Sequence, residues 1–279
     1  MEIKAADVMK LRQMTGAGMM DCKKALIEAE GNYERAQEII REKGKLVAAK
    51  RADRETSEGR VLTRTSGNKG VLVCLGCETD FVSKNAEFQE LANAIADAAI
   101  AQFPADKDAL MACTLADGRT VEAAVTEQTG KTGEKHVVAC YAAIEAPFIA
   151  AYEHKINGKR AAIVGFNKEV DAELAKGVAI QVVTMKPVSI SEKDCPAEVV
   201  EKELQIYKEQ MKEDPKMAGK PEAMLEQIAK GKLGKFFKEN TLLEQEYQMG
   251  EGKETVKEAL AKADKEAQVL AFKGFALDD

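Results

Sequence analysis

The sequence predicts an α+β protein. It should hold a small N-terminal three-helix module, two related ββα core subdomains with antiparallel sheets, and an inserted antiparallel helical hairpin. Three observations carry this reading. Apolar residues recur at three- and four-residue spacing over residues 1–54, two later stretches share the order strand, turn, strand, helix, and a charged segment with heptad-spaced apolar positions interrupts the second of them.

In the first module, Val8, Leu11 and Met14 or Thr15 mark one helix, which Gly16 and Gly18 stop. Asp21 is placed to cap a second helix that ends at Gly31. A third runs from Asn32 through Tyr33, Ala36, Ile39 and Ile40, ending at Gly44 or continuing through KLVAAKRADR. A charged linker, ADRETSEGR, follows. GRVLTRTS and GVLVCLG then flank the turn-forming Gly67-Asn68-Lys69-Gly70, and Asn85 caps a helix carrying Phe88, Leu91, Ile95 and Ala99. Lower down, FIAAYEHKI and KRAAIVGF flank Asn157-Gly158, a strong hairpin signal, before a helix that Pro187 closes. Between the copies, TVEAAVTEQTG reads as a helix and HVVACYAAI as a strand.

Val200, Leu204, Tyr207 and Met211 step by four, three and four. After breaks at Pro215, Gly219 and Pro221, Leu225, Ile228, Lys232 (or Leu233) and Phe236 step again. The seams close within the hairpin or against a second copy, so self-association through it stays open. TVKEALAKA then gives a short helix and QVLAFKGFAL a terminal strand. The domain division is 1–54, 55–143, 144–194 with 239–279, and 195–238 as the insert.

A length of 279 residues suits about two domains, and 45% hydrophobic with 32% charged residues excludes disorder. A net charge of −6 supplies no global field for nucleic acid or an anionic membrane. The start, MEIKAADVMKLRQMTG, has no apolar signal region, so a cytoplasmic protein is expected. Six cysteines without a framework fit reduced thiols. Cys74 and Cys77 form a C-x-x-C, but there is no second pair for zinc, and the motif ends a strand-like run rather than opening a helix, where a thiol pKa would fall. We read both as structural, with a thiol or zinc protein as the alternative. His136 and His154 are structural or partner-surface residues. GNKG and TGKTGEK lack the spacing of a phosphate-binding loop. No cofactor, metal or catalytic residue is expected.

Two short stretches are more specific. TGAGMMDCKKAL presents Met19 and Met20 as an adjacent pair after two glycines, beside Lys23 and Lys24. Both methionines pack inside, or they form a polarizable patch that grips a partner helix. CETDFVSK places a phenyl ring beside a carboxylate at a strand end, in a chain with no Trp and nine Phe.

LRQMTGAGMMDCKKAL resembles the N-terminal signature of the elongation factor Ts family, the guanine-nucleotide exchange factors of elongation factor Tu. CETDFVSK resembles that family's second signature, and AYEHKINGKRAAIV is similar to its tyrosine–histidine hairpin. The order of elements also fits along nearly the whole chain. Cys74 and Gly76 stand where the family usually has an acidic residue and then asparagine or valine, Cys195 stands where a serine-like cap is usual, and the chain stops at FALDD where many relatives continue into a further helix.

The resemblance implies a UBA-like N-terminal domain, a coiled-coil insert, elongation factor Tu as partner, and no enzymatic step. It implies that Phe81 enters a gap between two helices of the GTPase domain while Asp80 acts at the same contact, with Thr79 and Val82 completing the motif. It further implies that Arg12, Met19, Met20 and Lys23 face the partner from the N-terminal domain, and that His154 lies on a partner surface. No direct binding of nucleotide, nucleic acid or membrane is implied. A UBA-like adaptor without exchange activity is the remaining alternative; it leaves the T-D-F stretch unexplained.

Overall fold

The run VLVCLGC has no period because both faces of its strand are covered. In the computed structural model, which describes residues 3–214, 220–250 and 252–278, β1 (Glu58–Ser66), β2 (Lys69–Cys77) and β3 (Val137–Glu145) form an antiparallel sheet in the order β1-β2-β3. Strands β4 (Phe148–Glu153), β5 (Arg160–Phe166) and β6 (Val269–Ala276) form a second in the order β4-β5-β6. Alternation along a strand sends neighbours to opposite faces. Val71, Val73, Leu75 and Cys77 of β2 therefore face helices, while Leu72 and Cys74 meet Ala161 and Ile163 of β5.

Helices α5 (Ala86–Gln102) and α7 (Val121–Thr132) cover the outer face of the first sheet with Phe88, Ile95, Val121 and Val125. Helices α8 (Ala172–Met185) and α11 (Val256–Ala263) cover the second with Val178, Val182, Val256 and Leu260. The layers run helix, sheet, sheet, helix. Glycine permits the close sheet contact. A Cβ added at Gly165 would lie 2.7 Å from the Ala146 Cβ, and one at Gly70 would lie 2.9 Å from Ile149. Each copy is larger than the ββα unit read from sequence, since β3 and β6 return as third strands beside β2 and β5.

The first hairpin turns on Gly67 and Asn68, with Ser66 paired to Lys69. The second does not turn tightly at Asn157-Gly158. Strand β4 stops at Glu153, and residues 154–159 form a loop closed by the His154 N–H to the Arg160 carbonyl (2.8 Å) and the Gly158 N–H to the His154 carbonyl (2.9 Å).

At the N-terminus lie α1 (Ala5–Thr15), α2 (Met19–Glu28) and α3 (Tyr33–Lys50). Their shared core is Val8, Leu11, Cys22, Leu26 and Ala36, with Thr15 buried and Met14 52% exposed. Gly16 closes α1 at φ +67. Helix α2 begins three residues earlier than an Asp21 cap would place it, with Gly18 at its N-cap. Asp21 instead sits in the first turn and pairs with Lys43. Gly44 does not end α3. It faces Gly130 of α7, where an added Cβ at Gly130 would fall 2.8 Å from the Gly44 Cα, so the helix gains a close approach that offsets glycine's cost of about 1 kcal/mol.

Between β2 and α5 lies α4 (Asp80–Ser83), and α6 (Lys107–Ala112) precedes α7; neither was evident from periodicity. Helices α9 (Ala197–Glu213) and α10 (Glu222–Asn240) pack together, with the Lys232 ammonium 5.4 Å from the Tyr207 ring centre. Met211 and Phe236 are buried. The sequence breaks at Pro215 and Gly219 lie outside the described residues. Among the described residues, no helix is long and apolar enough to cross a membrane.

Candidate functional site

Strand β2 ends at Cys77, and within eight residues the chain meets two helix caps. Thr79 is extended (φ −126, ψ 155) and its hydroxyl oxygen accepts the Val82 N–H at 3.4 Å, which starts α4 as a single turn. Asn85 ends this turn and caps α5 by accepting the Glu87 N–H at 2.8 Å. The TDF segment is thus a capped helical turn. Its inner side carries the buried Ser83, whose hydroxyl donates to the Asp80 carbonyl (3.0 Å), and Val82, packed on the helix-side core. Its outer side carries Phe81, 84% exposed, and among the described residues no other phenylalanine is exposed.

The charges around the ring are ordered. Lys84 donates to Asp80 at 2.7 Å and holds that carboxyl below its ordinary range. Asp80 also lies in a first helical turn, where the N–H groups favour an anion. Below the turn, Arg51 at the end of α3 donates twice to Glu78, at 2.9 and 3.0 Å, and the Lys135 N–H adds a third bond at 2.6 Å. Burial pushes the Glu78 pKa up, yet these donors outweigh it and keep the carboxylate ionised. The Lys135 ammonium donates to the carbonyls of Ala52 (2.7 Å) and Arg54 (2.8 Å). The three-helix module is therefore tied to the base of the Phe81 turn.

The 154–159 loop reaches the same end of the sheets. Lys159 pairs with Glu58 at 2.6 Å, and Glu58 is the strand partner of Cys77. His154 Nδ1 lies 3.0 Å from the Tyr152 hydroxyl, and Ile156 at the loop tip is 89% exposed. His136, by contrast, is buried against Phe88, with ring centres 5.6 Å apart. Its Nδ1–H donates to the Glu134 carbonyl at 2.9 Å, and burial lowers its pKa.

On the N-terminal module, Arg12, Met19, Met20 and Lys23 are all exposed, Met19 at 39% and Met20 at 64%. They are presented by helix ends rather than by a loop. Ile27, 56% exposed, extends the Met20 face one helical repeat further. Of the residues read from sequence, Thr79, Asp80, Phe81 and Val82 share one turn, but Val82 anchors it from inside. Sequence reading missed Ile27, whose spacing of seven from Met20 was available, and Ile156. It also missed Arg51 and Glu134, whose contacts are too distant in sequence to be seen.

Cys74 and Cys77 are both fully buried and lie on opposite faces of β2, one between the sheets and one under the helices. Two thiols on opposite faces of a strand cannot share a metal or a disulfide. Burial pushes the Cys77 thiol up to about 12 and Cys74 higher still, the reverse of what a nucleophile requires. Among the described residues, no group of three or more His, Cys, Asp or Glu is placed to hold a metal.

A family model described as Elongation factor TS matches residues 78–279, beginning at the base of this turn. The chain is 43% identical over 278 residues to Elongation factor Ts of Porphyromonas gingivalis, covering 100% of this chain and 99% of that protein. It is 44% identical over 280 residues to Elongation factor Ts of Christiangramia forsetii, with 99% of each covered. The protein of the same name from Bacteroides thetaiotaomicron is 41% identical over 329 aligned positions, again with 99% of each covered.

Proposed function

The chain belongs to the elongation factor Ts family, and on that premise we propose that it is a guanine-nucleotide exchange factor. It binds elongation factor Tu carrying GDP and promotes GDP release during translation elongation, in the cytoplasm. The observation that carries this reading is Phe81, an exposed ring on a turn held by caps and ion pairs. Such a ring costs little entropy to dock, because its backbone is already ordered.

The mechanism is non-covalent. Phe81 enters a gap between two helices of the GTPase domain, Asp80 contacts the same place, and the elements supporting the Mg²⁺ and phosphates shift. The ion's charge dominates that site, so displacing its supports weakens nucleotide binding. Residues 1–54 act as a UBA-like docking domain through Arg12, Met19, Met20 and Lys23. Residues 55–143 carry the exchange turn, residues 144–194 with 239–279 form the second core subdomain with His154 on a partner surface, and 195–238 form a coiled-coil insert.

One docked phenyl ring contributes about 1.5–3 kcal/mol, within the range of typical coupling between sites. Ejecting a tightly held nucleotide needs more, so the Met19/Met20 face and the second subdomain act as anchors. Coupling is reciprocal: GDP must weaken the partner's grip on this chain by the factor with which this chain weakens GDP. Titrating the chain into elongation factor Tu with and without GDP tests the proposal. Tighter binding to the nucleotide-free form is expected, and equal affinity for the two forms would refute exchange.

A further inference from the structure

The strand that leads into the Phe81 turn does not hold it alone. Glu134, between α7 and β3, receives two hydrogen bonds from one residue: the Thr79 N–H at 3.1 Å and the Thr79 hydroxyl at 2.8 Å. A hydroxyl has one proton. Given to Glu134, it leaves a lone pair free for the Val82 N–H, which is the bond that starts the turn. Glu134 is itself fixed on both sides. Its N–H donates to the Thr132 hydroxyl at 3.1 Å, and its carbonyl accepts from the buried His136 ring at 2.9 Å.

We propose that Glu134 is the positioning residue of the Phe81 turn: its carboxylate orients the Thr79 cap, so the ring is presented ready to dock. The Glu78–Arg51 pair fixes the base of the turn separately, so removing the Glu134 carboxylate frees the tip while the base stays tied. This inference rests on the exchange reading only for its effect on nucleotide release. The effect on the turn stands by itself.

Two measurements on the full chain test it. Amide hydrogen exchange at residues 79–84 reports the turn directly. Glu134→Ala is expected to accelerate exchange at Thr79 and Val82 by roughly tenfold or more, the equivalent of one or two lost hydrogen bonds to a charged group. Glu134→Gln, which keeps one carbonyl oxygen, falls between it and the natural chain. Labelled GDP release from elongation factor Tu reports the consequence, with kcat/KM expected to fall about tenfold. In a Phe81→Ala background, the same Glu134→Ala change should cost less than about twofold, because a residue that acts through the ring loses its effect with the ring. Unchanged protection at Thr79 and Val82, or a full tenfold cost persisting without Phe81, would overturn the proposal. Should the natural chain fail to accelerate GDP release at all, the exchange reading falls, while the amide measurement still decides the role of Glu134.

Discussion

Phe81→Ala separates a ring kept for a partner from a ring kept for the fold. In the free protein Phe81 is 84% exposed, so its removal leaves no cavity and takes little area out of contact with other side chains. The caps that shape the turn use Thr79 and Asn85, not the ring. The melting temperature should therefore move by no more than a degree or two. Phe88, in the first turn of α5 and fully buried, sets the contrasting scale. Phe88→Ala should cost about 3–5 kcal/mol, which for a protein of this size lowers the melting temperature by roughly 6–20 °C. If docking buries the exposed part of Phe81, its loss should remove about 1.5–3 kcal/mol from the state that releases GDP. Catalysed release should then slow by about one to two orders of magnitude. The assay is release of a fluorescent GDP from elongation factor Tu, with thermal melting of the same preparation. A large fall in melting temperature combined with normal exchange by the folded fraction would refute the reasoning.

Met19→Ala with Met20→Ala should leave helical content intact, because both side chains are exposed, yet weaken binding to elongation factor Tu at least about tenfold by calorimetry; unchanged affinity would remove the docking role. Gly165→Ala should destabilise the fold by about 1–3 kcal/mol in urea, since its Cβ would press to 2.7 Å from Ala146 between the sheets. An unchanged midpoint would mean that the sheets separate easily. Burial holds the His136 pKa below its usual value, so below about pH 6.5 the unfolded chain takes up the proton more readily than the native one. Stability should fall as pH drops from about 7 toward the folded value, and His136→Gln should flatten that part of the slope; an equal slope in both proteins would assign the effect to other groups.

Strands β1, β2, β4 and β5 and helix α5 were legible because apolar runs, turn-forming residues and an Asn cap act locally, although Asn157-Gly158 does not make the tight turn read from it. The stacking of the two sheets was not. An unbroken apolar run such as Val71–Leu75 says that both faces are covered, but not by what. Helix α4 was hidden because four residues cannot display a helical period. Gly44 left the end of α3 open between a stop there and a longer helix, since its partner Gly130 lies in another helix. Asp21 looked like a cap because aspartate usually leads at that position, while the true N-cap, Gly18, offers no side chain. At the candidate site, CETDFVSK showed a phenyl ring beside a carboxylate, and Asn85 just after it showed a cap; the ring's exposure was implied only by the family resemblance, and the Thr79 cap was hidden with α4. The carboxylate holding the Thr79 cap was not readable, since Glu134 lies 55 residues from Thr79.

Release of labelled GDP from elongation factor Tu, measured with and without this protein at matched Mg²⁺, tests the central claim most directly. Acceleration by a substoichiometric amount of the chain, with every partner molecule turned over, is the expected result. A release rate independent of the chain, under conditions where the two proteins form a complex, would contradict it and leave a binding protein without exchange activity.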